Sequence, residues 1–178
     1  MKYILILATL LFFQNVVASE FDQTMELAIG GNIAAQYNIG VMYASGIGVE
    51  RDYEKALEWL GKAALQGDEE AQVNLGVMHA YGQGVAIDHK EAIYWFRMAA
   101  KNGVGFAEYN LGMQYFFGKG VPVDKVRGVS WLLLASRQGD KDASNNLEII
   151  KKEITATQYS QAQTLAAQCY ESGYKDCD

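Results

Sequence analysis

The chain has 178 residues, half of them hydrophobic, enough for one domain of ordinary size with a sizeable core. Its formal charge is −6 and it has no basic run, which argues against nucleic acid or an anionic membrane surface as a partner. Pro122 is the single proline, and the 18 glycines fall mostly at repeated turns, so the chain reads as helical and punctuated rather than disordered.

The first element is a leader. Lys2 supplies a positive start, and Tyr3 to Phe13 run unbroken as apolar and small residues. Val16-Val17-Ala18 then gives the small-residue pattern of a signal-peptidase site, with Ala18/Ser19 the preferred cut. The run is short for a membrane span, and polar Gln14 and Asn15 follow directly; the alternative is a retained anchor. Residues 1–18 are expected to be a signal peptide and residues 19–178 an exported domain, periplasmic or secreted. Removing Lys2 takes the formal charge to −7. Nothing beyond the cut suggests that the mature chain holds to a membrane.

From Phe21 to Ile29 the pattern predicts a short helix closed by Gly31. A stretch A-x-x-N-[LI]-G then recurs at Ala35–Gly40, Ala71–Gly76 and Ala107–Gly112, each time 36 residues on. Asn38, Asn74 and Asn110 fall in register, as do Gly46, Gly82 and Gly118, Asp52, Asp88 and Asp124, and Trp59, Trp95 and Trp131. Self-similarity at a fixed period of this size is the mark of a solenoid array. Repeats are placed at about 35–70, 71–106 and 107–142, with a degenerate copy and a C-terminal cap over 143–178. In each repeat the first helix (33–44, 69–81, 105–117) ends at a glycine turn. The aspartate then caps the second helix (53–66, 89–102, 125–138). Ala35, Ile39 and Tyr43 share a face at a spacing of four, and Ala56, Trp59, Leu60, Ala63 and Ala64 form the buried stripe of the second helix. Gly40 lies beside the first face, where a missing side chain admits a neighbouring helix. Val104 breaks the capping pattern of Asn32, Asp68 and Asp140, and Gly128 replaces Ala56 and Ala92. Thr155 opens a last helix over 156–171, with Tyr159, Ala162, Leu165, Ala166 and Cys169 on one side. The two cysteines, Cys169 and Cys177, lie close enough to join, and export would let the bond persist; free thiols or an intermolecular bond are the alternatives.

The run A-x-x-x-[LI]-G-x-x-[YH]-x-x-G-x-G-V-x-x-D-x-x-x-[AG]-x-x-W-x-x-x-A-[AS]-x-x-G resembles the Sel-one-like repeat (SLR) family, a branch of the tetratricopeptide-like solenoids. The resemblance spans about Phe21 to Glu171. It implies an all-α, right-handed superhelical solenoid of antiparallel helix pairs. It also implies an adaptor or scaffold for other proteins, here of envelope or exported character. Cysteine-rich exported relatives carry a cysteine pair in every repeat; this chain does not, so the penicillin binding proposed for them is not carried over.

The residues give no catalytic constellation. Gly46-x-Gly48 follows a helix and lacks the lysine of a phosphate loop. The carboxylates lie mainly on wet helix faces, Ser and Cys lack an evident histidine partner, and His79 and His89 do not have the spacing of a helical metal pair. No cofactor, metal or catalytic residue is assigned. In the tetratricopeptide relatives the first helix of each repeat lines a concave groove. Here the corresponding stripe is Tyr37, Val41 and Ala44, then Val73, Val77 and Ala80, then Tyr109, Met113 and Phe116, with Asn38, Asn74 and Asn110 beside it. That stripe is the candidate binding face, an apolar trough whose amides hold an extended peptide; the competing reading is that these side chains pack successive repeats. The expected function is a monomeric, non-enzymatic adaptor for a protein or peptide. The alternative is an envelope enzyme acting on peptidoglycan or a β-lactam, or an inhibitor of one. A cleft holding two carboxylates, or Ser with Lys or His, would favour that alternative.

Overall fold

The computed structural model describes residues 20–175 and 177. The expected leader over 1–18 lies outside them. Among the described residues every regular element is an α-helix: α1 (20–29), α2 (Ile33–Ser45), α3 (Tyr53–Leu65), α4 (Glu69–Tyr81), α5 (His89–Ala100), α6 (Gly105–Phe117), α7 (Lys125–Arg137), α8 (Lys141–Ile150) and α9 (Ala156–Glu171). None of these is long and apolar enough to cross a membrane. The helices gather into two compact units, one reaching to Ala71 with Gln83–Val85, the other made of Gln72–Gly82 and the chain from Ala86 onward.

In the first unit the helix ends are set by their caps. Asn32, Asp52 and Asp68 each accept a backbone N–H three residues on, from Ala35 at 2.9 Å, Lys55 at 3.0 Å and Ala71 at 2.8 Å. Gly46 and Gly48 have φ of 75° and 74°, so both take the left-handed conformation that ends α2 and turns the chain. The turn is then closed on itself, because the Asp52 N–H donates to the Tyr43 carbonyl at 2.9 Å. Ala35, Ile39 and Tyr43 of α2 meet Ala56, Leu60, Ala63 and Ala64 of α3 in the buried interior. The two helices touch at Gly40, where a Cβ would stand 2.6 Å from Leu60 Cγ. The helix cost of that glycine, about 1 kcal/mol against alanine, is offset by the close packing it permits.

The second unit repeats this pattern. A Cβ on Gly76 would stand 2.5 Å from Phe96 Cε1, and one on Gly112 would stand 2.8 Å from the Gly128 carbonyl oxygen. Gly128 itself is explained by the third pair, since a Cβ there would lie 2.8 Å from the Phe116 backbone nitrogen. Asp88 N–H donates to the His79 carbonyl, and Asp124 N–H to the Tyr115 carbonyl, each at 2.9 Å. Val104 makes no side-chain cap bond to α6. Helix α7 packs on α6, α8 and α9. Helix α9 starts with a full capping box between Thr155 and Gln158 and buries Ala162, Ala166 and Cys169. Cys169 is disulfide-bonded to Cys177. The tryptophans differ from one another: Trp95 and Trp131 are buried, whereas Trp59 is half-exposed with Lys62 Nζ 3.8 Å above its ring. The expectation that Trp59 belongs to the buried stripe of α3 therefore needs correcting, since its half-exposed ring is capped by the Lys62 ammonium.

Candidate functional site

The candidate stripe sits on the first helices α2, α4 and α6. On α6, Tyr109, Asn110 and Met113 come together around a hollow of about 150 Å³. Tyr81 from the end of α4, and Gln114, Phe117 and Lys119, complete its lining. The helical period brings Tyr109, Met113 and Phe117 to one side at a spacing of four. Gly118, with φ of 69°, ends the helix and turns Lys119 toward the rim. A volume of this size accepts one ring-sized side chain.

The polar groups around the hollow are unequally committed. Tyr109 Oη accepts a hydrogen bond from Asn146 Nδ2 at 3.2 Å. Burial, followed by the nearby Asp142 and Asp140 charges, raises its phenol pKa above the ordinary value. Asn110 Nδ2 donates to the Phe106 carbonyl of its own helix at 2.8 Å, leaving its Oδ1 and the second Nδ2 hydrogen for a partner. Gln114 is 6% exposed and its Oε1 is buried without a hydrogen-bond partner. Among the described residues no acidic side chain lines this hollow, nor a second one of about 220 Å³ bounded by Leu133, Leu134, Arg137, Gln163, Ala166 and Ala167.

The remaining stripe residues are distributed less simply. Tyr37 and Val41 on α2 are half-buried and Asn38 is exposed. Val73, Asn74 and Val77 on α4 are half-buried, and both valines pack against the interior built from Ala92, Phe96, Leu111 and Trp131. Phe116 must be corrected. It is 3% exposed and belongs to the interior cluster of Val129, Leu132 and Ala143, so it faces the core shared by α6, α7 and α8 and cannot line a groove. Its neighbour Phe117 takes the outward position. Gln114 and Lys119 were missed as well. The sequence held a signal for the first: Gln114 stands in register with Met42 and Met78, a polar residue at an otherwise apolar position.

One buried acid lies outside the hollow. Glu108 is 0% exposed, and its carboxyl faces the Tyr174 hydroxyl. It stands in register with Gln36 and Gln72, both buried. Gln36 donates its Nε2 to the Ala28 carbonyl at 3.1 Å, a donor that only a protonated glutamate could supply. Burial is the main force raising the Glu108 pKa, to about 7, with the Asp140 charge adding to it and the facing Tyr174 hydroxyl opposing it. Tyr174 Oη accepts from Gln138 Nε2 at 3.0 Å.

Comparison with known proteins follows the helical register. The Sel1 repeat model matches residues 33–68, 69–104 and 105–140. A Sel1 repeat protein from Oxalobacter formigenes is 34% identical, with a TM-score of 0.66, over 72% of this chain and 97% of that one. A protective antigen of uropathogenic Escherichia coli strains with an SLR fold is 29% identical, with a TM-score of 0.64, over 86% of this chain. This chain spans 42% of that longer protein. Among curated proteins none matches. Proteins built from this repeat are in general protein-interaction scaffolds. With three repeats matched and helices alone among the described residues, the chain is an all-α repeat solenoid and belongs to the Sel1 repeat family.

Proposed function

We propose that this chain is an exported, non-enzymatic adaptor. It holds a segment of a protein partner on the first-helix face of the second unit, along α4 and α6, and one partner side chain enters the hollow on α6. The observation that carries the reading is that hollow, where Tyr109, Asn110 and Met113 meet Tyr81, Phe117 and Lys119 without any acidic residue. Aromatic walls with a few polar groups suit a protein anchor. The absence of a carboxylate pair from the lining weighs against the envelope-enzyme alternative. Export is supported by the leader pattern over 1–18 and by the Cys169–Cys177 bond, which suits an oxidising compartment.

The test is site-specific photocrosslinking in envelope extract. A photoreactive residue at Phe117, which is exposed beside the hollow, should capture a discrete protein, and Met113→Asp should abolish the capture. The same group at Tyr94, exposed on α5, serves as the control. Equal capture from both positions, or capture that survives Met113→Asp, would refute the assignment of the face.

A further inference from the structure

The chain carries a tyrosine seated on one of its own repeats. Tyr174 belongs to the short tail held by the Cys169–Cys177 bond, and its backbone N–H donates to the Cys169 carbonyl at 2.9 Å. Its φ is 64°, the one left-handed non-glycine residue among those described. The ring lies against Gly103, where an added Cβ would stand 3.4 Å from Tyr174 Cε2. Its hydroxyl accepts from Gln138 Nε2 at 3.0 Å and faces the Glu108 carboxyl. The seat thus has three parts: a left-handed glycine without a side chain, a buried polar group one turn into the first helix, and a glutamine at the end of the second.

Those three parts recur 72 residues earlier, within the first unit, as Gly31, Gln36 and Gln66. Gly31 has φ of 88°, and an added Cβ there would meet nothing within 4 Å. Gln36 is buried and Gln66 is exposed, as Glu108 and Gln138 are. Gln66 Nε2 donates to Gln36 Oε1 at 2.6 Å, so donor and acceptor already face each other where a phenol would join them. The flanks differ in a telling way. Beside the occupied seat stand Lys101 and Arg137, and the Arg137 guanidinium carbon lies 3.6 Å from the centre of the Tyr170 ring. At the matching positions of the open seat stand Ile29 and Leu65, which are 72% and 77% exposed. Two large apolar side chains in water beside an open glycine floor are what a docking seat leaves uncovered.

We propose that Gly31, Gln36 and Gln66 form a seat for a tyrosine side chain on an extended segment of a partner protein, in the manner of Tyr174 on Gly103, Glu108 and Gln138. The phenol ring lies on Gly31 between Ile29 and Leu65. Its oxygen accepts from Gln66 Nε2, and its hydrogen goes to Gln36 Oε1, so one glutamine–glutamine bond is exchanged for two bonds through the hydroxyl. This seat shares no residue with the hollow on α6 and stands or falls independently of it.

The test uses the full chain with its disulfide intact. Titration with N-acetyl-tyrosinamide, and with the hexapeptide Glu-Ser-Gly-Tyr-Lys-Asp, is followed by amide NMR shifts, with N-acetyl-phenylalaninamide as the control. Shifts are expected at Ile29, Gly31, Gln36 and Leu65 and in the Gln66 side-chain amide. The phenylalanine probe, and the tyrosine probe on Gln66→Ala, should bind about tenfold more weakly, the worth of one hydrogen bond. Gln66 is exposed, so its replacement leaves the fold in place, which circular dichroism checks. Equal binding of the two probes, no effect of Gln66→Ala, or shifts confined to Tyr109, Met113 and Phe117 would overturn the proposal. So would self-association of the chain that Tyr174→Phe abolishes, because the occupant would then be a second copy.

Discussion

Replacing Glu108 by glutamine should stabilise the protein at neutral and alkaline pH and change little in acid. The carboxyl is fully buried and its pKa is raised from 4.5 to about 7, with burial the first cause. Unfolded, the same group titrates near 4.5, so between the two values the folded state holds a proton that the unfolded state has released. The stabilisation carried by that proton is complete below pH 4.5, falls as pH rises, and is gone above about 7. The difference between 4.5 and about 7, at ~1.36 kcal/mol for each tenfold change in proton affinity, makes the loss about 3 kcal/mol. Glutamine keeps the shape, stands at the matching positions Gln36 and Gln72, and has no proton to lose. Urea unfolding of the wild type and Glu108→Gln between pH 4.5 and 8.5 reads the effect as a difference, in which all other titrations cancel. The curves should coincide near pH 4.5 and diverge to about 2–3 kcal/mol in favour of the variant above pH 7. A difference that does not vary with pH would refute the reasoning, because it would mean that Glu108 has the same pKa in both states.

Gly76→Leu should lower stability by roughly 1–3 kcal/mol through overpacking against Phe96; an unchanged Tm would show that the glycine is not a contact. Reducing Cys169–Cys177 should raise hydrogen exchange over residues 156–175 and leave residues 69–117 protected, because the bond closes a loop of about nine residues worth roughly 2–3 kcal/mol. Equal protection with and without reductant would make the bond irrelevant to the cap. Mass spectrometry of the exported protein should find a chain beginning at Ser19 or Glu20; a chain retaining Met1 would defeat the export reading.

The helical frame was legible because its causes are local. Asp52, Asp88 and Asp124 cap the next helix by a bond to a backbone N–H two or three residues on, and Gly46 and Gly118 turn the chain by their own φ. A period of 36 residues prints such causes three times. The candidate face was less legible. Whether Phe116 or Phe117 points outward depends on about 100° of rotation between neighbouring helix positions, and α6 is turned by how closely Gly112 and Gly128 bring it to α7. That is a tertiary fact. The burial of Glu108 was equally out of reach, since an acid in a helical register reads as wet until the helices around it are in place. Its register with Gln36 and Gln72 was the clue, because a position that is neutral twice asks for a neutral group the third time.

The three bonds from Asp52, Asp88 and Asp124 N–H to the carbonyls of Tyr43, His79 and Tyr115 bear on how the chain folds. Each closes its turn within nine residues and draws on nothing outside its own hairpin. A hairpin that completes its own corner incurs little loop-closure entropy before its helices can touch. Folding can therefore begin at more than one place along the chain and spread to neighbours, as expected for repeat arrays. Short sequence separation between contacting residues also favours speed over the slow search of proteins with distant pairings.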